Sequence, residues 1–508
     1  MNRIQNKIIY DSDVFSKGAS EEIVCYGHFN VIHPGHIRYL QYAGGLGRSL
    51  CVIVQGDRDL SSEEREYFFS EYERALNLAS IQIVDRVIIM ANHALTELIG
   101  LIKPRHLVVG SEFGKINDLN KKDSILIDEA SIALNEIGGT VVFHGGEVQY
   151  SQSLLNRNTS FSEDKKAAFL SACKQQKINQ SDLVQTVSNF EKASLLVVGD
   201  TILDQYVACE PIGMSAEAPV VVMRELDDNT FLGGAGVVAA SIRALGAKCH
   251  YLSVVGKDDN ANIAREQLDK FYVNFNLLED PSRPTTFKIR YLVEKQKMFR
   301  VSRLKDHNLK KEIETKLIDK IKAAAPNVNG ILVCDFLYGV VTPKILNIIK
   351  KVASAHEIPV YCDLQCSSQV GSILKFSGSH LICPTEREAR ISLGAKDDGL
   401  EWVANKVLEE TSSKNLIMKL ASNGFIAYER KENNFFNRQS FPALSDNVVD
   451  VTGAGDSLLA ALAVGLSSGA SLMKASAVAA CMAALSVETL GNKPIELEAL
   501  EEKIQEFY

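Results

Sequence analysis

The chain has no excess of positive charge, no long unbroken apolar run and no closely paired cysteines, and each absence removes a class of function. Lys and Arg number 55 against 63 Asp and Glu, a formal net charge of -8. Clustered cations of the kind that grip a nucleic-acid backbone are missing, and short pieces such as Lys310-Lys311 read as solvated helix faces. No apolar stretch reaches membrane-spanning length, because the Ala-rich segments near 458–486 are broken by Gly, Ser and Lys. The opening residues, Met1-Asn2-Arg3-Ile4-Gln5-Asn6-Lys7, lack the apolar stretch of a secretory signal. The 10 cysteines are scattered from Cys25 to Cys481 without a C-x-x-C pair, Cys362 and Cys366 being the nearest two. That usage predicts reduced thiols in a cytoplasmic protein. The expectation is a protein with no nucleic acid, no membrane and no bound protein-held metal.

What is present is the composition of a soluble globular protein, 46% hydrophobic and 23% charged over 508 residues, long enough for more than one core. Short apolar runs alternate with helical spacing: Glu22–Tyr26, Leu50–Val54, Arg86–Met90, His106–Gly110 and Thr140–His144 read as strands, with helices over Glu71–Ala79 and Ala94–Ile102 between them. Alternation of this kind predicts doubly wound α/β sheets, whose ligands bind at strand C-termini. Residues 158–192 turn polar and are expected to be a linker, with short helical segments over Ala167–Lys174 and Asp182–Phe190, between a first domain, 20–157, and a second, 193–508. The second block repeats the alternation through Leu195–Val198, Tyr251–Val255, Gly330–Asp335, Val360–Asp363, His380–Pro384 and Leu416–Leu420, and Arg283–Tyr291 alternates like a half-exposed strand.

Chemistry concentrates in Asp450-Val451-Thr452-Gly453-Ala454-Gly455-Asp456-Ser457, followed by the apolar run Leu458–Ala463. The run reads as a helix, which puts Gly453, Ala454 and Gly455 at a helix N-terminus with unpaired N–H groups and partial positive charge. Small residues let a phosphate approach that backbone. A carboxylate at Asp456 repels a phosphate at rest, yet suits a hydroxyl that must lose its proton while attacking a phosphoryl group. A Gly-rich turn that merely caps a core helix has the same letters.

In the first block, strand Glu22–Tyr26 ends at Gly27 and leads through Phe29 to His33-Pro34-Gly35-His36 at a helix start. The two histidines share one face of the first turn and can stabilise charge on a polyphosphate; zinc ligation and a structural role are the alternatives. Further along, Asp200 and Asp204 follow an apolar strand and can bond sugar hydroxyls or serve as turn residues. Phe231-Leu232-Gly233-Gly234-Ala235-Gly236 reads as a Gly-rich loop before the helix Val237–Leu245, and Lys288 and Arg290 lie on the alternating strand.

The set Gly27, Phe29, His33, Gly35, His36 resembles the nucleotidyltransferase signature G-x-F-D-x-x-H-x-G-H, with Asn30 where that family has Asp. Val109-Gly110-Ser111-Glu112-Phe113 resembles its V-K-G-x-D-Y segment, with Val109 in place of Lys, and Arg74 resembles the Arg of its E-x-R helix. The late Ser/Thr-rich phosphate motif is represented by Tyr150–Leu155. Gly199-Asp200, Asp204, Gly233-Gly234, Glu388 and Asp450–Asp456 resemble, in that order, the ribokinase-like (PfkB) sugar kinases. Both halves resemble the bifunctional heptose-7-phosphate kinase/heptose-1-phosphate adenylyltransferase family, here with the transferase part first. Ser215–Val220 and Pro494–Leu497 are near-identical to segments of that family.

The resemblance implies a Rossmann-like nucleotidyltransferase domain and a ribokinase-like α/β domain with a small β lid. Asp456 would be the base, and Gly453, Ala454 and Gly455 the anion hole. Asp204, Gly233, Gly234, Lys288 and Arg290 would hold the sugar or sugar phosphate, and Glu388, Lys419 and Thr452 the ATP and Mg²⁺. Gly27, Phe29, His33, Gly35, His36 and Gly110 would hold a second nucleoside triphosphate, ATP or CTP. The product would be a nucleotide-activated sugar for a surface glycan, made by a homodimer. A working kinase joined to a degenerate transferase domain is the rival. Val237 stands where the family has an Asn that contacts sugar, Thr385 replaces the Asn of N-x-x-E, and Asp363-Leu364-Gln365 replaces D-P-K.

Overall fold

The computed structural model describes residues 2–14, 22–32, 34–47, 49–60, 65, 68–110, 121–144, 161–294, 296–366, 369–431, 436–445 and 447–507. The chain divides into two compact units, Met1–Thr159 with Gly394–Lys406, and Ser160–Leu393 with Val407–Tyr508.

The first unit is built on six strands: β1 (Ile8–Tyr10), β2 (Glu22–Gly27), β3 (Ser49–Gln55), β4 (Arg86–Met90), β5 (His106–Gly110) and β6 (Thr140–His144). Their order in the sheet is β1-β4-β3-β2-β5-β6, and all pairs are parallel. Alternate residues feed two cores, Val24, Ile53, Ile88 and Val109 on one face and Ile23, Val52, Val87 and Val108 on the other. This is the near-continuous apolar pattern of strands covered on both sides. The chain steps one way from β2 through β3 to β4, then crosses back to lay β5 on the other flank of β2. That reversal is a topological switch point, and the crevice at the carboxyl ends of the two strands opens between Gly27 and Gly110.

The second unit carries a nine-stranded sheet. Its strands are β7 (Ser194–Gly199), β10 (Lys248–Val255), β11 (Asn274–Glu279), β14 (Gly330–Asp335), β15 (Val360–Leu364), β16 (Leu381–Ile382), β17 (Asn415–Lys419), β18 (Phe425–Arg430) and β19 (Phe436–Phe441). Their order is β11-β10-β7-β14-β15-β16-β17-β18-β19. The sheet is parallel as far as β17 and closes with two antiparallel strands. Here the order reverses between β7 and β14. A separate four-stranded sheet forms a lid: β8 (Thr201–Met214), β9 (Val221–Gly233), β12 (Thr286–Val293) and β13 (Gln296–Arg303), in the order β13-β12-β8-β9. The helix Ala454–Ser467 is Ala-rich and buried along Asp456–Gly465, and Gly465 lets it approach the neighbouring helix Leu472–Val487, since a Cβ there would stand 3.0 Å from that of Ala475.

Three details differ from the sequence reading. The segment expected as a linker, 158–192, is part of the second unit: its two helices, Phe161–Gln175 and Gln180–Ser188, overlap the helical segments expected there, but Phe169, Ala172, Cys173, Leu183, Val187 and Phe190 join that unit's core. Phe169, Ala172 and Cys173 fall at i, i+3 and i+4, so one narrow stripe is buried while the rest of the helix stays polar. Asp204 lies within β8 instead of in a loop. The Gly-rich stretch Phe231–Gly236 is not a loop either: β9 runs through Gly233 and the helix Gly234–Ala244 begins at the next residue. If the segment belongs to the fold, Phe169→Ala will destabilise the second unit by about 3–5 kcal/mol. A change within about 0.5 kcal/mol in a denaturant melt is what a surface linker would give.

Candidate active site

Gly453 takes the left-handed conformation, φ +83°, and caps the helix Ala454–Ser467. A side chain at 453 would be strained by that φ and would also drive into Asn492, whose Oδ1 lies 2.5 Å from where a Cβ would sit. Ala454, Gly455 and Asp456 form the first helical turn, where N–H groups have no acceptor inside the helix. Lys419, the last residue of β17, reaches the same spot, its Nζ 3.6 Å from where a Cβ on Gly455 would be. The nest of backbone donors therefore has a cation at its edge.

Asp456 is buried at 6% exposure, and Gln365 donates to its Oδ1 at 2.7 Å. Its Oδ2 has no hydrogen-bond partner among the described residues. Burial, then the charge of Asp363, pushes the Asp456 carboxyl up to about 7, against the opposing pull of Lys419. Asp363, near the end of β15, accepts at Oδ1 from Lys419 Nζ at 2.8 Å, and its Oδ2 is buried without a hydrogen-bond partner among the described residues. Burial raises the Asp363 carboxyl to about 6, with Lys419 again opposing. Burial works against the charge on Lys419, but Asp363 and Glu388 outweigh it and its pKa is raised. Glu388 accepts from the backbone N–H of Thr385 at 2.8 Å and of Cys366 at 3.0 Å, while Thr385 Oγ1 accepts from Glu388 N at 3.2 Å. Thr385 and Glu388 thus make a capping box for the helix Glu386–Leu393, which a Thr serves as well as an Asn.

The lid supplies the opposite wall. Arg290 of β12 pairs with Asp204 of β8, and Asn492 Nδ2 donates to Asp204 Oδ2 at 2.8 Å. Gly233 makes room for that carboxylate, since a Cβ there would come within 2.2 Å of Asp204 Oδ2. Lys297 of β13 bonds Asp450 Oδ1 at 2.7 Å and Thr452 Oγ1 at 2.8 Å, and Tyr206 of β8 donates to Asp450 Oδ2 at 2.7 Å. Although burial opposes it, Lys297 and the other donors hold the Asp450 carboxyl below its usual value. Lys288 is buried at 5% exposure and lies over the rings of Tyr338 and Phe336 at 5.1 and 5.7 Å; its ammonium makes no hydrogen bond or ion pair among the described residues. Asp200 plays a different part from the one its position suggests, because it accepts from the N–H of Phe336 at 2.9 Å and Val340 at 3.2 Å. Burial and the neighbouring Asp335 raise its carboxyl.

In the second unit the structure therefore gathers Asp204, Gly233, Gly234, Lys288, Arg290, Glu388, Lys419, Thr452, Gly453, Ala454, Gly455 and Asp456 around one cleft. It adds Tyr206, Lys297 and Asn492, which sequence reasoning missed. Lys297 and Tyr206 look like ordinary lid-strand residues in sequence. Asn492 lies 288 positions from Asp204, and no local pattern points to it.

In the first unit, Gly27 ends β2, and Phe29 adopts φ +50° with its ring 5.2 Å from that of His36 and 6.2 Å from that of Tyr39. His36 Nδ1 lies 3.1 Å from the Val31 carbonyl. Arg74, fully buried, donates to the carbonyls of His28 at 2.7 Å and Phe69 at 2.9 Å and to Asp57 at 2.6 Å. Asn30 Oδ1 accepts from Phe69 N at 2.8 Å. Gly35 opens the helix Pro34–Gly45, and Gly110 ends β5 beside Gly27's strand. Val109 faces the core and presents no cation. His33, Ser111–Phe113 and Tyr150–Leu155 lie outside the described residues.

The fold and the cleft define an α/β carbohydrate kinase of the ribokinase-like class, joined to a nucleotidyltransferase-like domain. The pfkB family carbohydrate kinase pattern matches residues 192–498, and the cytidylyltransferase-like pattern matches residues 24–129. The chain belongs to the pfkB carbohydrate kinase family. Among curated relatives, "Bifunctional protein HldE" of Trichlorobacter lovleyi is 31% identical over 315 residues, 61% of this chain and 62% of the relative. That of Geotalea uraniireducens is 32% identical over 305 residues, 59% of this chain and 60% of the relative. The match thus spans about three-fifths of the length of these relatives. Phosphofructokinase-2 from Escherichia coli, solved with substrates and products, has a TM-score of 0.52 at 14% identity, covering 62% of this chain and 99% of that one. Ribokinase from Giardia lamblia gives 0.51 at 14%, covering 62% and 100%. At such identities the two structures speak for the fold alone.

Asn492→Ala will leave Asp204 with Arg290 as its side-chain partner. A hydrogen bond to a charged group contributes about 1.5–3 kcal/mol, so KM for the sugar will rise about 10- to 100-fold while KM for ATP stays within about twofold. Steady-state kinetics with each substrate varied in turn checks this.

Proposed function

We propose that the second unit, residues 193–508, transfers the γ-phosphoryl of ATP to a hydroxyl of a sugar or sugar phosphate, heptose-like in class. The observation that carries it is Asp456: a buried carboxylate in the first turn after Gly453, with one oxygen fixed by Gln365 at 2.7 Å and the other without a hydrogen-bond partner among the described residues. The acceptor hydroxyl gives its proton to Asp456 Oδ2 as its oxygen bonds to the γ-phosphorus. The bond from that phosphorus to the β-bridging oxygen breaks, and ADP leaves. Charge on the transferring oxygens falls to the Gly453, Ala454 and Gly455 amides and to Lys419. Asp204, with Gly233 and Gly234 leaving it space, would hold sugar hydroxyls. Lys288, the cation without a carboxylate partner, would meet a phosphate on the acceptor. Arg290 would act through Asp204.

Mg²⁺ fits the residues present: Asp363 Oδ2 is buried without a partner, and carboxylate oxygens suit a hard cation that keeps several waters. Asp363 and Glu388 would hold it, and Thr452 would lie on the nucleotide side. The ion would neutralise charge on the nucleotide phosphates.

For the first unit, residues 20–157, the reading is nucleotidyl transfer from ATP or CTP to a sugar 1-phosphate with release of pyrophosphate, giving a nucleotide-activated sugar for a surface glycan. Gly27, Phe29, His33, Gly35, His36 and Gly110 would line the triphosphate site. The reading is supported by the switch-point position of Gly27 and Gly110 and by Arg74 tying down the loop after β2. The second reading, a degenerate transferase domain, is favoured by one observation: Val109 is turned into the core, so the position offers no phosphate-binding cation. The assembly would be a cytoplasmic homodimer; no helix among the described residues is long and apolar enough to cross a membrane.

With MgATP and a panel of heptose and hexose phosphates, Asp456→Asn will lower kcat by about 10²- to 10⁴-fold; a near-wild-type rate removes the base assignment. Because Asp456 titrates near 7, kcat will fall tenfold per pH unit below that value as the base becomes protonated. Lys419→Met removes a charge that favours the ionised form, so the acid limb will move to higher pH. Pyrophosphate release with each nucleoside triphosphate and a set of sugar 1-phosphates separates the two readings of the first unit.

A further inference from the structure

The catalytic cleft lies at the carboxyl ends of β7, β14 and β15. At the opposite, amino-terminal edge of the same sheet, Ser194 of β7, Lys248 of β10 and Asn274 of β11 line a second cavity of about 540 Å³. It shares no residue with the catalytic cleft, and its volume falls within the range of small-molecule sites.

Its chemistry is one-sided. Arg243, Lys248 and Lys320 line it together with His250, and no carboxylate does. That is unexpected in a chain with a formal net charge of -8. Arg243 is held in place, its Nε donating to the Tyr272 carbonyl at 3.0 Å and its Nη1 to the Ala247 carbonyl at 2.7 Å. Nη2 is left without an acceptor among the described residues. The ammonium groups of Lys248 and Lys320 likewise have no hydrogen bond or ion pair there. His250 Nε2 lies 3.3 Å from Asn276 Oδ1, which orients the ring. Its pKa is lowered by burial first and by the charge of Lys320, with Asn276 opposing. The cavity therefore concentrates positive charge on one pre-set guanidinium and two ammonium groups, the arrangement that binds a phosphate dianion.

At its rim Tyr272 is 83% exposed and takes φ +53°. It follows the helix Asp259–Lys270 at a left-handed position that glycine ordinarily fills. A large aromatic there costs backbone strain and gains no burial, yet offers a ring face beside the cations. Asn274, Asn276 and Asn327 add amide donors and acceptors to the lining.

We propose that this cavity is a second anion site, which takes a phosphorylated small molecule at the end of the sheet remote from catalysis. The proposal does not depend on which sugar the catalytic cleft accepts. The single compact cluster of cations suits one phosphate group better than the extended backbone of a polyanion, which needs a stripe of charge.

Crystals of the full chain soaked in sodium tungstate, a phosphate mimic with a strong anomalous signal, test it directly. The expected result is an anomalous peak within hydrogen-bond reach of Arg243 Nη2 and the Lys248 and Lys320 ammonium groups. That peak should be lost in a Lys248→Ala/Lys320→Ala double variant, which spares Arg243 and its two carbonyl bonds. In solution, titration with inorganic phosphate and with AMP will show one class of sites whose affinity falls by about tenfold or more in the double variant, while KM for ATP is unchanged. AMP binding several-fold tighter than phosphate, with the gain lost in Tyr272→Ala, identifies a nucleotide as the ligand. Equal affinities identify the phosphate group alone as what is recognised. Tungstate in the catalytic clefts with none in this cavity, or titrations unaltered by the double variant, overturns the proposal.

Discussion

The second unit's cleft depends on the Lys419 ammonium more than on any other group. Asp363, Glu388 and Asp456 bring three carboxylates into one largely buried space, and an isolated ionised carboxylate in such a place costs several kcal/mol. Lys419 pairs directly with Asp363 at 2.8 Å and lies beside the Gly455 backbone. Its charge permits at least part of the cluster to ionise. One cation does not neutralise three anions, and the shortfall appears as titration: the Asp363 carboxyl rises to about 6 and the Asp456 carboxyl to about 7. Glu388 accepts from two backbone N–H groups. Asp456, whose hydrogen bond comes from a neutral amide and not from a cation, is thus the one poised to exchange a proton near neutral pH, and the helix N-terminus beneath it favours its ionised form.

The same logic shapes the lid. Each of its three strands bordering the cleft carries a polar group that finds a partner across it or beside it: Tyr206 on Asp450 from β8, Arg290 on Asp204 from β12, and Lys297 on Asp450 and Thr452 from β13. The Tyr206 and Lys297 contacts tie the lid to Asp450 and Thr452, just ahead of the anion nest, so a shift of the lid alters the carboxylate that precedes Gly453. Lys288 stands apart from them. Held over Tyr338 and Phe336, it keeps its ammonium uncommitted in a place where every neighbouring cation is already spent on a carboxylate.

Much of this was legible in the sequence, and what was not has physical causes. Buried parallel strands announce themselves as apolar runs, and Arg86–Met90, His106–Gly110 and Thr140–His144 stand where the runs place them. The D-x-T-G-A-G-D segment put an anion nest and a carboxylate in one helical turn, because the helix geometry itself fixes that proximity. The docking of the helix Phe161–Gln175 was hidden by its polar face, since a single stripe of Phe169, Ala172 and Cys173 suffices to bury it. The pairing of Arg290 with Asp204 was hidden because it joins two strands of the lid 86 positions apart, and that of Lys297 with Asp450 because it joins the lid to a segment 153 positions away. A sequence shows that Lys288 and Arg290 alternate with apolar residues, but not that one will be neutralised and the other left free.

Asn492 shows where that boundary falls. Val237 sits in the core at 3% exposure, at the position where the family resemblance places a sugar-contacting Asn. The helix Gly234–Ala244 thus offers no amide to the cleft from that residue. An amide reaches Asp204 all the same, from Asn492 in the loop after the helix Leu472–Val487. That side chain also abuts Gly453, so close that no Cβ fits between them. One residue therefore spans from the carboxylate proposed to hold the sugar to the glycine proposed to hold the phosphoryl group, and sets their separation. An amide on a helix would move with the sheet below it. An amide on this loop moves with Gly491, whose N–H bonds Asp450 Oδ2 at 3.4 Å, and hence with Lys297 and the lid. The proposed base and anion nest lie in one contiguous segment, Gly453–Asp456, whereas the groups that surround them, Asn492 among them, meet only after folding.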